Sequence, residues 1–170
     1  MFSIIIPSFN NIDYLKVAIE SLKKNSFFKN DIIIHLNIGT DGSVEYLKSN
    51  DIKFTLTDYN SGICEGVNMA SKLAKMDYIC YAHDDFYFCP NWDKFLHDEI
   101  VNIGHNKFYL SSSTIGTFGN SLDCGDSFDN FDENKFLSGY KQIKFNNLQG
   151  STWAPHVVHK SLWNEVGGFS

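Results

Sequence analysis

Two adjacent acids, Asp84-Asp85, follow the apolar run Tyr78-Ile79-Cys80-Tyr81-Ala82, separated from it only by His83. Neighbouring carboxylates repel, and both stay ionised where a cation or several donor groups face them. A hard divalent ion is usually held in phosphate chemistry by one carboxylate, with a diphosphate filling its other positions. Asp84-Asp85 is a candidate for that role. Two other readings stay open on the residues alone: an N-terminal cap for a helix beginning after Pro90, or two solvated loop acids.

The acids need a scaffold, and the first half of the chain alternates β-rich runs with helical spacing, the signature of βαβ units around a mostly parallel sheet. Phe2 to Pro7 reads as the first strand. Asn10-Asn11-Ile12-Asp13 then offers capping side chains to a helix whose apolar stripe is Leu15, Ala18, Ile19 and Leu22, closed by Lys23-Lys24-Asn25. Asp31 to Asn37 is the second strand; Gly39 to Ser43 is a turn into a short helix around Val44 to Leu47; Lys53 to Thr57 is the third strand. After the turn Asp58 to Gly62, the spacing of Val67, Ala70, Leu73 and Ala74 predicts a helix, and Asp77 to Ala82 a fourth strand. Trp92, Phe95, Leu96 and Ile100 mark a helix after Pro90, followed by strand-like Lys107 to Ser112. From Ser113 to Gln149 no clean period survives, so this stretch reads as a long loop or lid.

The chain of 170 residues, 43% hydrophobic and 15% aromatic, is long enough for one globular α/β domain. Fourteen basic against 20 acidic residues give a net charge of -6, which removes any general electrostatic reason to bind nucleic acid. No apolar stretch approaches the ~18 to 20 residues that cross a bilayer, and no basic segment precedes the first strand. Cys64, Cys80, Cys89 and Cys124 show no C-x-x-C spacing and read as reduced thiols. These features together read as a soluble, cytoplasmic protein.

In an open α/β sheet, ligands bind beyond the carboxyl ends of the strands. There the sequence places Pro7-Ser8-Phe9-Asn10, Asn37, Asp58-Tyr59-Asn60 and His83-Asp84-Asp85. The Gly39 to Gly42 turn lacks the Lys-Ser/Thr ending of a phosphate-binding P-loop, and no G-x-G-x-x-G follows the first strand.

Four segments in order resemble the inverting glycosyltransferases of family 2, of the GT-A type: Phe2 to Asn10; Asn60-x-Gly62 with Gly66-x-Asn68; Asp77 to Asp85 followed by Pro90-Asn91-Trp92; and Trp163-Asn164-Glu165-Val166-Gly167-Gly168-Phe169. The resemblance implies a Rossmann-like, mostly parallel sheet flanked by helices. Residues 1–105 would form the nucleotide-sugar half and 106–170 the acceptor-side half. It implies that Asp85 binds Mn2+ or Mg2+, that Asp84 contacts the donor's ribose or sugar, and that Pro7, Ser8 and Asn10 line the nucleoside pocket, with Asn37 and Asn60 beside them. The substrates implied are a nucleoside-diphosphate sugar, with a UDP-sugar first, and a glycan or lipid-linked acceptor. Peripheral association with a membrane carrying such acceptors finds no basic amphipathic stretch to support it. Two positions depart from the family pattern: Leu36-Asn37 stands where an Asp-Asp pair is usual, and His83 stands at the first acid of the D-x-D segment. An Asn amide still accepts from one base edge and donates to another, without charge.

The family's general base lies shortly beyond Gly-Gly-Phe, so the chain reads as truncated before it; Asp126, Asp129, Asp132 and Glu133 are loop acids that could substitute. His83 is a candidate to assist a metal or bond a phosphate, and His156 and His159 are candidates to reach the donor from the acceptor side. Each is also an ordinary structural histidine. His156-x-x-His159 lacks the third ligand of a zinc site, and His35 reads as structural. Trp153, after the Gly150-Ser151-Thr152 turn, offers an indole face on which a sugar stacks. The competing classes are a nucleotide-sugar-binding module without turnover and a sugar nucleotidyltransferase. The second would need a basic, glycine-rich loop after the first strand, and Pro7-Ser8-Phe9-Asn10 supplies none.

Overall fold

The computed structural model describes residues 1–116, 122–125, 127–144 and 154–170. The apolar runs become β1 (Phe2–Phe9), β2 (Asp31–Asn37), β3 (Lys53–Thr57) and β4 (Tyr78–Tyr81), joined by α1 (Ile12–Asn25), α2 (Ser43–Ser49) and α3 (Gly62–Ser71). There follow α4 (Trp92–Ile103), β5 (Tyr109–Ser111), α5 (Glu133–Gly139), β6 (His156–His159) and α6 (Lys160–Val166). The strands form one sheet of order β3-β2-β1-β4-β6-β5, in which β1 to β4 are parallel and β6 runs antiparallel to both its neighbours.

Strand alternation sorts the core into two layers. Phe2, Ile4, Ile6, Ile34, Leu36, Cys80, Ala82 and Val157 face α1, α2 and α4, meeting Leu15, Ile19, Leu22, Leu47, Leu96 and Ile100. Ile5, Ile33, Ile79, Tyr81 and Val158 face the opposite way, onto Val67 and Ala70 of α3 and Trp163 of α6. Burial on both faces explains why these strands read as continuous apolar runs. Each fully buried Ile or Leu contributes roughly 1.5–3 kcal/mol against exposure.

Several local expectations are corrected. Asn11 makes no side-chain cap for α1; instead Asp41, from the loop after β2, accepts the Ile12 N–H at 2.8 Å. Phe95 lies on the solvent face of α4, 69% exposed, because Asp93, Leu96 and Ile100 supply the buried side of that helix. Leu73 falls beyond the end of α3. Within the stretch expected to be a loop, α5 forms because Asp132 caps it through the Lys135 N–H at 2.9 Å and Phe136 turns inward. The antiparallel β6, inserted between β4 and β5, carries no periodic signal in four residues.

None of the four cysteines is paired. Among the described residues no helix is long and apolar enough to cross a membrane.

Candidate functional site

The chain leaves β1 toward β2 and β3 on one side and returns to β4 on the other, so the switch point of the sheet lies between β1 and β4. Pro7 holds it open. The Ile5 carbonyl accepts the Ala82 N–H, so odd residues of β1 present their backbone groups to β4. Pro7 is next in that row, beyond the last β1–β4 pair at Ile5 and Tyr81, and has no N–H to extend the ladder. The strands part there around a crevice of about 410 Å³, in the size range of small-molecule sites.

Pro7, Ser8, Asn10, Asn37, Asn60 and Asp84, all singled out from sequence, line this crevice together. The remaining lining comes from Phe9, Asn11, Gly62, Ile63, Tyr81 and His83. Phe9 and Ile63 are each about half exposed and give the crevice apolar walls. Of these six, only His83 stands out from sequence as a candidate site residue. The signal that could have found Tyr81 is alternation, since it shares a strand side with His83.

On the β1–β2–β3 rim the amides are engaged in the scaffold. Asn10, at φ +46°, accepts the Thr40 N–H at 2.9 Å and donates to Thr40 Oγ1 at 3.1 Å, tying the β1–α1 loop to the β2–α2 loop. Asn37 Oδ1 accepts both the N–H (2.7 Å) and the hydroxyl (2.9 Å) of Ser61, which fills its lone pairs. Asn37 therefore sets where α3 begins, and a base facing it meets an occupied acceptor. Asn60 accepts the Gly62 N–H at 3.0 Å in a turn that leads into α3.

Beneath Asn37 lies His35, fully buried, with Nδ1 2.8 Å from Thr55 Oγ1 and Nε2 3.1 Å from Ser61 Oγ. The Ser61 proton goes to Asn37, so at Ser61 the imidazole is the donor and carries its proton on Nε2. Burial lowers the His35 pKa, opposed by the contact with Asn37 and the charge of Glu65. His35 is thus a neutral structural group, as expected. A Cβ on Gly66 would collide with His35 Cδ2, so only glycine lets α3 approach this closely.

The β4 rim carries charge. Ser8 Oγ donates to Asp84 Oδ2 at 2.6 Å across the switch point. Burial pushes the Asp84 carboxyl upward; hydrogen bonds from Ser8 and Asn11 pull it down, and the charge of Asp85 adds to the rise. Asp85 is exposed to solvent. Neither acid caps α4: the acid in that first turn is Asp93, fully buried and accepting the N–H groups of Phe27 (2.7 Å) and Phe28 (2.9 Å). Among the described residues no three His, Cys, Asp or Glu side chains gather into a metal cage. Asp84 lines the crevice, whereas Asp85, next to it in the chain, is exposed and is not among the lining residues. A single carboxylate at such a crevice fits a hard divalent ion whose remaining ligands are substrate phosphates and water.

The acceptor-side candidates separate. His156, 3% exposed, packs behind Tyr81 at 4.9 Å between ring centroids, with its Nε2 2.5 Å from the Tyr109 hydroxyl. His159 pairs with Tyr78 at the opposite end of β4 and caps α6 through the Ser161 N–H, away from the crevice. Trp153 and Asp126 lie outside the described residues. Glu133 is held by Lys24 Nζ at 2.8 and 2.9 Å and by the Tyr87 hydroxyl at 2.7 Å, which lower its pKa, and Asp132 caps α5. Both thus serve as local anchors, Glu133 through Lys24 and Tyr87 and Asp132 through one N–H at the start of α5. Asp129 remains exposed in a short turn.

Asn68 of α3 reaches the Gly-Gly-Phe segment: its Nδ2 donates to the Phe169 carbonyl at 2.7 Å and its Oδ1 accepts the Phe169 N–H at 2.9 Å. Phe169 then packs edge-on to Tyr81 at 5.3 Å. The second and fourth of the family-like segments thus meet through this clamp, and Phe169 is brought against Tyr81, a lining residue of the crevice.

A doubly wound sheet with an open switch-point crevice of this kind defines a Rossmann-like ligand-binding protein. The model of Glycosyl transferase family 2 matches residues 3–151, and the chain belongs to that family, with the GT-A fold. Among solved structures, S. aureus TarS 1–349 in complex with UDP aligns with TM-score 0.69 at 18% identity, over 98% of this chain and 48% of that one. The TarS complex with UDP-GlcNAc gives 0.66 at 17%, over 98% and 47%. The mannosyltransferase PcManGT from Pyrobaculum calidifontis, in complex with GDP-Man and Mn2+, gives 0.66 at 14%, over 99% and 47%. At these identities the likeness is one of fold, and the chain spans about half the length of each. No curated protein sequence matches it.

Proposed function

We propose that the crevice binds a nucleoside-diphosphate sugar, a UDP-sugar first, and that the protein transfers the sugar to an acceptor hydroxyl with inversion. The observation that carries this reading is the meeting of Pro7, Ser8, Asn10, Asn37, Asn60 and Asp84 in one crevice at the switch point of a family 2 fold. The nucleotide sugars held by TarS and PcManGT support it.

In this reading residues 1–105 hold the donor and 106–170 the acceptor side. Pro7, Ser8 and Phe9 form the nucleoside wall, with the half-exposed Phe9 supplying an apolar surface for the base. The Asn10–Thr40 and Asn37–Ser61 clamps keep the opposite wall fixed. Asp84, oriented by Ser8, contacts the ribose or sugar hydroxyls, and the exposed Asp85 holds Mn2+ or Mg2+. When bound there, a divalent ion would supply positive charge to stabilise a leaving diphosphate. Trp153 and His156 belong to the acceptor side, His156 through its packing on Tyr81. The acceptor is a glycan or lipid-linked hydroxyl. A donor-binding module without turnover is the second reading, favoured by the engagement of Asp132 and Glu133 with other partners.

The test is thermal unfolding of the 170-residue chain with UDP, UDP-GlcNAc, GDP-mannose and ATP, each with and without Mn2+. A ligand at 100 times its Kd stabilises by about 2.7 kcal/mol. The expected outcome is a metal-dependent rise with a nucleoside diphosphate and none with ATP; no rise with any nucleotide sinks the reading.

A further inference from the structure

A second cleft, of about 450 Å³, opens beside the crevice. The two are neighbours: Asn10 and Asn11 line both, and Asn11 also hydrogen-bonds Asp84. One wall of this cleft is the first turn of α1, with Asp41 beside it; the other is residues 127–129. In the division proposed above, it lies on the seam between the donor half and the acceptor half.

Its walls are already in place. Tyr14, 39% exposed, and Phe128, 36% exposed, meet across the seam with ring centroids 6.2 Å apart and planes at 60°. Asn130 Oδ1 accepts the Ser127 N–H at 2.9 Å and closes the turn that carries Phe128. Farther along, Glu133 pairs with Lys24 and so anchors this segment to the last turn of α1. The two rings form an angled apolar surface that is held at both sides and still open to solvent.

The polar groups of the lining select the guest. Asp13, Asp41 and Asp129 carry negative charge, and no lining side chain is basic; Lys16, outside the lining, comes within 3.9 Å of Asp13 and offsets one charge. Asp41 is already engaged by the N–H groups of Ile12 and Ser43, which leaves the exposed Asp13 and Asp129 for a ligand. Among the described residues no three acids gather closely enough to cage a metal instead. Carboxylates accept hydrogen bonds and repel anions, so this cleft refuses a phosphate or sulfate group and receives a hydroxyl. A sugar ring meets both surfaces at once, its C–H face on the aromatic rings and its hydroxyls toward the acids. Resting on the glycosyl-transfer reading, we infer that this cleft is a subsite for the acceptor, that the acceptor is an uncharged oligosaccharide, and that Tyr14 and Phe128 hold one of its sugar units.

Amide NMR of the 170-residue chain, titrated with cellotetraose, maltotetraose, chitotetraose, a sulfated heparin tetrasaccharide and tetralysine, tests this. At least one neutral tetraose is expected to shift the amides of residues 10–14 and 127–129, and the sulfated tetrasaccharide to leave them in place. Tyr14→Ala and Phe128→Ala should each weaken that tetraose by about fivefold or more, the scale of losing one ring's buried apolar contact, while UDP with Mn2+ binds as in the wild type. Tyr14→Phe, which keeps the ring, recovers most of the affinity. If UDP binds, the inference alone is overturned by no shift with any neutral tetraose, by shifts confined to other residues, or by equal or tighter binding of the sulfated tetrasaccharide or of tetralysine. Tetraose affinity unchanged in both alanine variants overturns it as well. A chain that binds no nucleotide overturns it together with the proposed function.

Discussion

The two rims of the crevice are built on opposite principles. Along the ends of β1, β2 and β3, polar side chains satisfy each other: Asn10 with Thr40, Asn37 with Ser61, His35 with Thr55 and Ser61. Along the end of β4, polar groups are left partly unmet: Asp84 is pushed upward by burial, and Asp85 is exposed. The first arrangement gives a rigid wall whose shape is its contribution. The second keeps hydrogen-bonding and charge capacity free for a ligand, at a cost in stability. Substitutions on the first rim should therefore damage fold and binding together, and those on the second should damage binding alone.

Gly66→Ala gives the sharpest break of the first rim. Its Cβ would collide with a buried ring held at both nitrogens. A loss of about 3 kcal/mol is expected, or roughly 6 to 12 °C in melting temperature. Asn37→Ala comes next: it strips the Ser61 N–H of its partner and costs about 2 kcal/mol, measured by urea unfolding, with nucleotide binding lost in parallel. A variant at either position that binds normally while unfolding early would dissolve the distinction between the rims.

Asp84→Asn should move the other way. The folded carboxyl titrates above its ordinary value of 3.8, so the native state holds its proton more tightly than the unfolded chain. The stability this group provides is complete below that ordinary value and is lost as pH rises through the higher, folded value. At neutral pH the wild type carries the full loss, and the Asp84→Asn variant carries none of it. The variant should therefore melt about 1 to 2 °C higher at pH 7, with the gap closing toward about pH 3, while metal-dependent nucleotide binding falls. Asp85→Ala should have the smallest effect on stability, within about 0.5 kcal/mol, because the residue is exposed. Mn2+-dependent binding should nevertheless disappear in it; binding that persists unchanged removes Asp85 as the metal ligand.

The same division governs how much of the molecule is legible in its sequence. Asp31 to Asn37 and Lys53 to Thr57 match their strands residue for residue, and the apolar stripe of α1 is buried as spaced. A parallel strand covered on both faces leaves a local signature, an apolar run ending in turn residues. Strand β6 leaves none, because His156 to His159 becomes a strand only through distant pairing with β4 and β5. In the site, residue types and strand-end positions point to seven of the lining residues, yet no local rule says that Asn10 will choose Thr40 or that Asp41 rather than Asn11 will cap α1. Those choices are made between loops about 30 residues apart. The Tyr81–His83 pair is different in kind, since strand period alone suffices to put the two side chains on one side.

One consequence of Pro7 concerns the dimensions of the cleft. An ordinary residue there would offer β4 one more rung, and the two strands could zip farther toward their tips. The missing hydrogen works as a spacer, so the width available to a guest molecule is written into a covalent ring and does not depend on side chains standing aside.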